Sequence, residues 1–100
     1  MNVKVLREAE EELIEAIAGF EEKENGLGLR LKEEAREAIK WIGENSNTPR
    51  LRPNGYRRVN LNLFSYYIAY FVWADTIWIL ALAHSHRRPE YWLDRKDKVD

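Results

Sequence analysis

The run from Ile77 to Ala83 is apolar at every position. Read as a strand, it places Ile77, Ile79, Ala81 and Ala83 on one face and Trp78, Leu80, Leu82, His84 and His86 on the other. A strand that is apolar on both sides belongs in the middle of a sheet, with both sheet faces covered. The rest of the chain must therefore supply two covering layers. One candidate for the second layer is Tyr91-Trp92 folding back; the other is a partner chain.

The first half of the chain offers one layer. Val3 to Leu6 reads as a short strand. From Ala9 to Glu24 the apolar residues Ala9, Leu13, Ala16, Ile17 and Phe20 recur at helical spacing, and the glutamates Glu8, Glu10, Glu11, Glu12 and Glu15 read as a solvated face. Asn25-Gly26-Leu27-Gly28 breaks that helix. A second helix follows to Glu44, with Leu31, Ala35, Ala38, Ile39 and Ile42 on its stripe. A polar loop over 45–55 leads to three strands, Tyr56–Leu61, Ser65–Trp73 and Thr76–His86. The tight turn at Ala74-Asp75 predicts a cross-strand pair of Trp73 with Trp78. The order β-α-α-β-β-β describes an α+β fold, a two-helix hairpin on one face of a small antiparallel-rich sheet. A single domain over 1–93 is expected, followed by a charged C-terminal tail over 94–100 that frays from Arg95.

Charge is uneven along the chain. Residues 1–50 carry eight Lys/Arg against twelve Glu, and residues 51–100 carry eight Lys/Arg against five Asp/Glu, so a net charge of −1 conceals a basic second half. No lysine lies between Trp41 and Arg95, where every basic residue is arginine. Arginine is the residue suited to planar, bidentate recognition of phosphate or carboxylate. The absence of cysteine fits a reducing cytoplasm. Neither a signal-peptide core nor a membrane-length apolar stretch is present in the sequence, so a cytoplasmic protein with no membrane partner is expected.

The candidate site is the block His84-Ser85-His86-Arg87-Arg88-Pro89-Glu90-Tyr91-Trp92 at the end of the apolar strand. It gathers two imidazoles, two guanidiniums and two aromatics at one sheet edge. Arg57 and Arg58 open an earlier strand. Arg57, Arg58, Arg87 and Arg88 form the expected anion-binding or target-docking set. A competing reading pairs Arg87 and Arg88 with the glutamates of the first helix. His84 and His86 on one face make only two metal ligands, so no metal and no cofactor is expected.

Several features in one order carry a family resemblance. They are Ala9-x-x-x-Leu13-x-x-Ala16, the Gly26-Leu27-Gly28 break, Ala38-Ile39-x-x-Ile42, Arg57-Arg58, Phe64-x-Tyr66-x-Ile68-x-Tyr70, and Ala83-His84 leading to Arg87-Arg88 and Tyr91-Trp92. Together they resemble the RelE/ParE superfamily of toxins from type II toxin–antitoxin systems, which includes plasmid stabilisation proteins. The resemblance implies growth inhibition relieved by a cognate antitoxin, with operator DNA contacted only through the antitoxin. It implies one of two targets. ParE-like members poison DNA gyrase by binding it. RelE-like members are metal-independent endonucleases that cut mRNA on the ribosome, and on that reading His84, His86, Arg57, Arg87 and Tyr91 form the catalytic set. The missing central-strand lysines and a pI near 6.1 lean towards the gyrase side, and the histidines towards the nuclease side. A non-toxic interaction protein that kept the fold is the third reading.

Overall fold

A computed structural model describes residues 1–99. Strand β1 (Asn2–Val5) leads into helices α1 (Arg7–Lys23) and α2 (Leu27–Glu44), and strands β2 (Arg57–Asn60), β3 (Tyr66–Trp73) and β4 (Thr76–His84) follow. The sheet order is β1-β4-β3-β2, with β1 parallel to β4 and the other pairs antiparallel. The expected α+β architecture is the one observed, and β4 is central. No helix among the described residues is long and apolar enough to cross a membrane.

The helical hairpin closes on its glycines. Gly26 takes φ +89°, a left-handed conformation that a side chain disfavours. At Gly28 an added Cβ would sit 2.4 Å from the Ile17 carbonyl oxygen, so only glycine permits this helix–helix approach. The Glu21 carboxylate accepts the Gly26 and Gly28 N–H groups at 2.9 and 3.0 Å, satisfying donors that the start of α2 leaves open. Both helices then bury their stripes on one sheet face, where Leu31, Ile42, Ile68, Ile77 and Ile79 form the centre of the core.

The second face is covered by the chain itself. Glu90 adopts a left-handed backbone and its carboxylate accepts from Asn54 Nδ2 at 3.0 Å and Tyr56 Oη at 2.8 Å. This turn directs Trp92 onto the sheet, where it is 1% exposed among Tyr56, Tyr67, Leu80 and Ala81. The indole N–H donates to Tyr67 Oη at 2.9 Å, and Tyr56 packs edge-on at 4.6 Å between centroids. Where fraying is expected from Arg95, the chain forms a 3-10 helix, Leu93–Lys98, followed by a buried Val99.

Three expectations about β4 and its hairpin are corrected. Ala69 pairs with Ala81 but Tyr70 with Ile79, leaving Leu80 as an extra residue. This bulge reverses the alternation. Leu82 joins Ile77 and Ile79 on the helix side, while Leu80, Ala81 and Ala83 share the other side. The strand also ends at His84, so His86 lies in the following turn rather than on the strand. Trp78 faces Phe71 across the hairpin and Trp73 faces Thr76, so the two tryptophans are not direct partners. The turn holds only Ala74 and Asp75, both at positive φ, which makes Trp73 and Thr76 the closing pair.

Candidate functional site

Where β1 stops, the edge of β4 opens, and the site begins there. The parallel ladder ends at Val5 opposite Ile79, with Leu6 N–H donating to the Ile79 carbonyl at 3.1 Å. Beyond it, the Leu82 N–H and the Leu80 carbonyl would face an absent neighbour. Side chains take its place. Leu82 N–H donates to Glu12 Oε1 at 3.1 Å, and Arg95 Nη1 donates to the Leu80 carbonyl at 3.0 Å. The two side chains also join each other, Arg95 Nη1 to Glu12 Oε1 at 2.9 Å and Nη2 to Oε2 at 3.1 Å. This fork-to-fork geometry is the strong form of an ion pair, and both side chains are only 17% exposed.

Glu12 is therefore not part of a solvated face, and Glu8 also bonds to Lys98. Glu12 lies three residues after Ala9 and four before Ala16, at the border of the buried stripe. That spacing was the available signal for it. Arg95 carried no signal beyond a position in a charged stretch.

Beside this pair, α1 and the end of β4 enclose a cleft of about 290 Å³, lined in part by Glu12, Glu15, Tyr66, His84, Arg87 and Tyr91. Tyr91 Oη donates to Glu12 Oε2, and the Arg87 guanidinium lies over the Tyr91 ring at 4.0 Å. Arg87 thus meets an aromatic face, and the Glu12 carboxylate of the first helix is held by Arg95. Burial first, then the bond to Glu12 and its charge, push the Tyr91 phenol well above its ordinary value. Tyr91 is a fixed proton donor in this setting, not a base.

His84 accepts the His86 N–H on Nδ1 at 3.1 Å and stacks edge-on with Tyr66 at 5.1 Å. With Nδ1 occupied as acceptor, the neutral ring carries its proton on Nε2. The nitrogen left for a ligand is then a donor. The His86 ring lies 5.2 Å away, exposed. Among the described residues no group of three or more His, Asp or Glu is placed to hold a metal ion.

The arginines of β2 are not part of this cleft. Arg57 faces the helix side beside Tyr70 and donates to the carbonyls of Asn47 at 3.1 Å and Pro49, tying down the loop before β2. His84 pairs instead with Tyr66, four residues along β3 from Tyr70 or about 13 Å at strand rise, and across that strand from β2. Arg58 points to the other sheet face, its guanidinium 4.1 Å over the Tyr67 ring. Arg88 is exposed in the turn after β4. The structure brings His84, Arg87 and Tyr91 together, with His86 at the rim, and leaves Arg57, Arg58 and Arg88 apart from them.

The same contacts set an alkaline limit. A phenol with a raised folded-state pKa contributes stability that is intact below the ordinary value of 10.0 and is lost as pH rises above it. Tyr56, Tyr66 and Tyr70 shift in the same direction, each chiefly through burial. Urea midpoints are expected to fall from about pH 10 upward, and Tyr91→Phe to flatten that fall. A midpoint unchanged up to about pH 11 would contradict the assignment.

Comparison with known proteins gives one kind of match. No protein-family model matches the chain, and no curated protein does. Among solved structures, a chain of the "Chromosomal ParDE TA system from P. aeruginosa" is similar to it, with a TM-score of 0.70 and 22% identity over 84% of this chain and 95% of that one. The two chains share a fold.

Proposed function

We propose that this chain is the toxin of a type II toxin–antitoxin module, of the RelE/ParE superfamily, and that it inhibits growth by binding DNA gyrase. The support for a toxin is the fold shared along nearly the whole length of a chain from a ParDE system. The support for binding over cleavage is one geometric observation: of the groups that RNA cleavage would need, His84, Arg87 and Tyr91 come together, while the further cations Arg57, Arg58 and Arg88 lie apart from them. Cleavage by the ribose 2′-hydroxyl requires a base, an acid and cations around one phosphate. Here Arg57 is engaged with loop carbonyls, Arg58 lies on the opposite sheet face, and His84 Nδ1 is occupied by the His86 N–H. Glu15 also lines the cleft and repels a phosphate. On this reading Arg87 and Arg88 belong to a docking surface, a cognate antitoxin neutralises the protein in the cytoplasm, and operator DNA is met through that antitoxin.

Induced expression without antitoxin should arrest growth, and the purified chain should inhibit supercoiling by gyrase while leaving mRNA intact in a reconstituted translation reaction. His84→Ala should keep its toxicity. New mRNA ends within ribosome-occupied codons, abolished by His84→Ala, would replace this reading with the ribosome-dependent endonuclease. Harmless expression of the folded chain would point to an interaction protein that has kept only the fold.

A further inference from the structure

The loop before β2 ends in a turn that the C-terminal segment clamps. Gly55 N–H donates to the Arg52 carbonyl at 2.9 Å, and Arg52 N–H donates to the Tyr56 carbonyl at 2.8 Å. Pro53 and Asn54 lie between them, and Gly55 takes φ +79°. The clamp comes from Glu90 and Lys96. Asn54 Nδ2 donates to Glu90 Oε1 at 3.0 Å, Tyr56 Oη to Glu90 Oε2 at 2.8 Å, and Lys96 Nζ to the Asn54 carbonyl at 2.7 Å. Glu90 itself sits at φ +60°, a costly backbone for glutamate that these bonds support.

Asparagine followed by glycine is a labile pair, because no side chain shields the glycine nitrogen. That nitrogen, once it has given its proton to solvent, attacks the asparagine Cγ. The Cγ–Nδ2 bond breaks, ammonia leaves with a proton taken from water, and a cyclic imide remains. Water then adds to either imide carbonyl. The ring opens to aspartate or, by breaking the former main-chain bond, to isoaspartate. The sum consumes one water and releases one ammonia, with no oxidant or reductant. In the closed fold both reacting groups are engaged, the Gly55 N–H by Arg52 and the Asn54 amide by Glu90. Water is at hand, since both residues are exposed beside a cleft of about 480 Å³ lined by Gly55, Phe71, Trp73, Lys96 and Val99.

We infer that Asn54 is a self-modification site that records opening of the C-terminal segment. It stays an amide while Glu90 and Lys96 hold it, and it converts once they release it. The products oppose resealing. An aspartate carboxylate would face that of Glu90 where an N–H now donates, and isoaspartate adds a carbon to the main chain of the turn. Lys96 does not offset the repulsion, because its ammonium is bonded to the main-chain carbonyl. The turn that directs Trp92 onto the sheet is thereby loosened for good. The inference rests on the turn and its clamp, and holds whether or not the chain is a toxin.

The chain carries its own gauge for the experiment. Asn25-Gly26 is a second such pair, with its Gly26 N–H held by Glu21 and not by the C-terminal segment. The whole chain is incubated in neutral buffer, and conversion at each asparagine is followed by peptide mapping and mass spectrometry. Glu90→Ala should speed conversion at Asn54 about tenfold and leave Asn25 within about twofold. Lys96→Ala, a milder change, should speed Asn54 about threefold and keeps the test open if Glu90→Ala fails to fold. Asn54→Asp stands for one product, and should speed amide exchange at Leu93 and Arg95 about tenfold. Asn54→Asp/Glu90→Gln reverses donor and acceptor across the same contact, and should recover most of that protection. The inference is overturned if Asn54 converts no faster in the folded variants, or if Asn25 accelerates equally in them. Exchange unchanged by Asn54→Asp, or not recovered in the double variant, would overturn it as well.

Discussion

Trp92→Ala is expected to destabilise the chain by about 4 kcal/mol, a large part of what a domain of this size possesses. The indole is fully buried and is the central plug of the second sheet face, wedged between Tyr56 and Tyr67. Its loss leaves a cavity, leaves Tyr67 Oη without its donor and loosens the cover over Leu80, Ala81 and Ala83. Trp92→Phe keeps most of the volume but drops the N–H, so it should cost about 1–2 kcal/mol. Urea unfolding of both variants measures this. A loss below about 1 kcal/mol for the alanine variant would mean that the C-terminal segment does not seal the sheet in solution.

Glu12→Ala should follow closely, at about 3 kcal/mol. One carboxylate accepts from the Leu82 N–H, from Tyr91 and from both arms of Arg95. Truncation strands all of these at once and leaves a largely covered guanidinium without its counter-charge. The double variant Glu12→Ala/Arg95→Ala should be markedly less damaging than the sum of the two single changes, because the second truncation removes the stranded cation. Additive losses in urea midpoints would show that the two side chains act independently, against the geometry described.

The sequence is legible where a pattern has one interpretation. The stripes of the two helices and the Gly26–Gly28 break fix the hairpin. The two-sided apolarity of Ile77–Ala83 correctly makes that strand central, and its unmet need for a second cover correctly names Tyr91-Trp92 as one solution. The bulge at Leu80 is invisible for the same reason that the strand is easy to find: with apolar residues on both faces, inserting one changes no visible alternation. Glu12 hides among neighbouring glutamates of identical chemistry, and only the tertiary path of β4 selects it. Arg57 and Arg58, adjacent in sequence, lie on opposite faces because a strand separates neighbours.

The Glu12–Arg95 pair has a consequence for solubility. The stretch Leu80–Ala83 is apolar, prefers extended conformation and lies on an edge once β1 has ended. An unguarded edge of that kind recruits other chains, edge to edge, into growing aggregates. By occupying its donor and acceptor with a charged fork, the fold turns a sticky edge into one that an incoming strand would have to strip of an ion pair before it could attach. The same two residues that hold the chain end in place therefore act as gatekeepers against self-association.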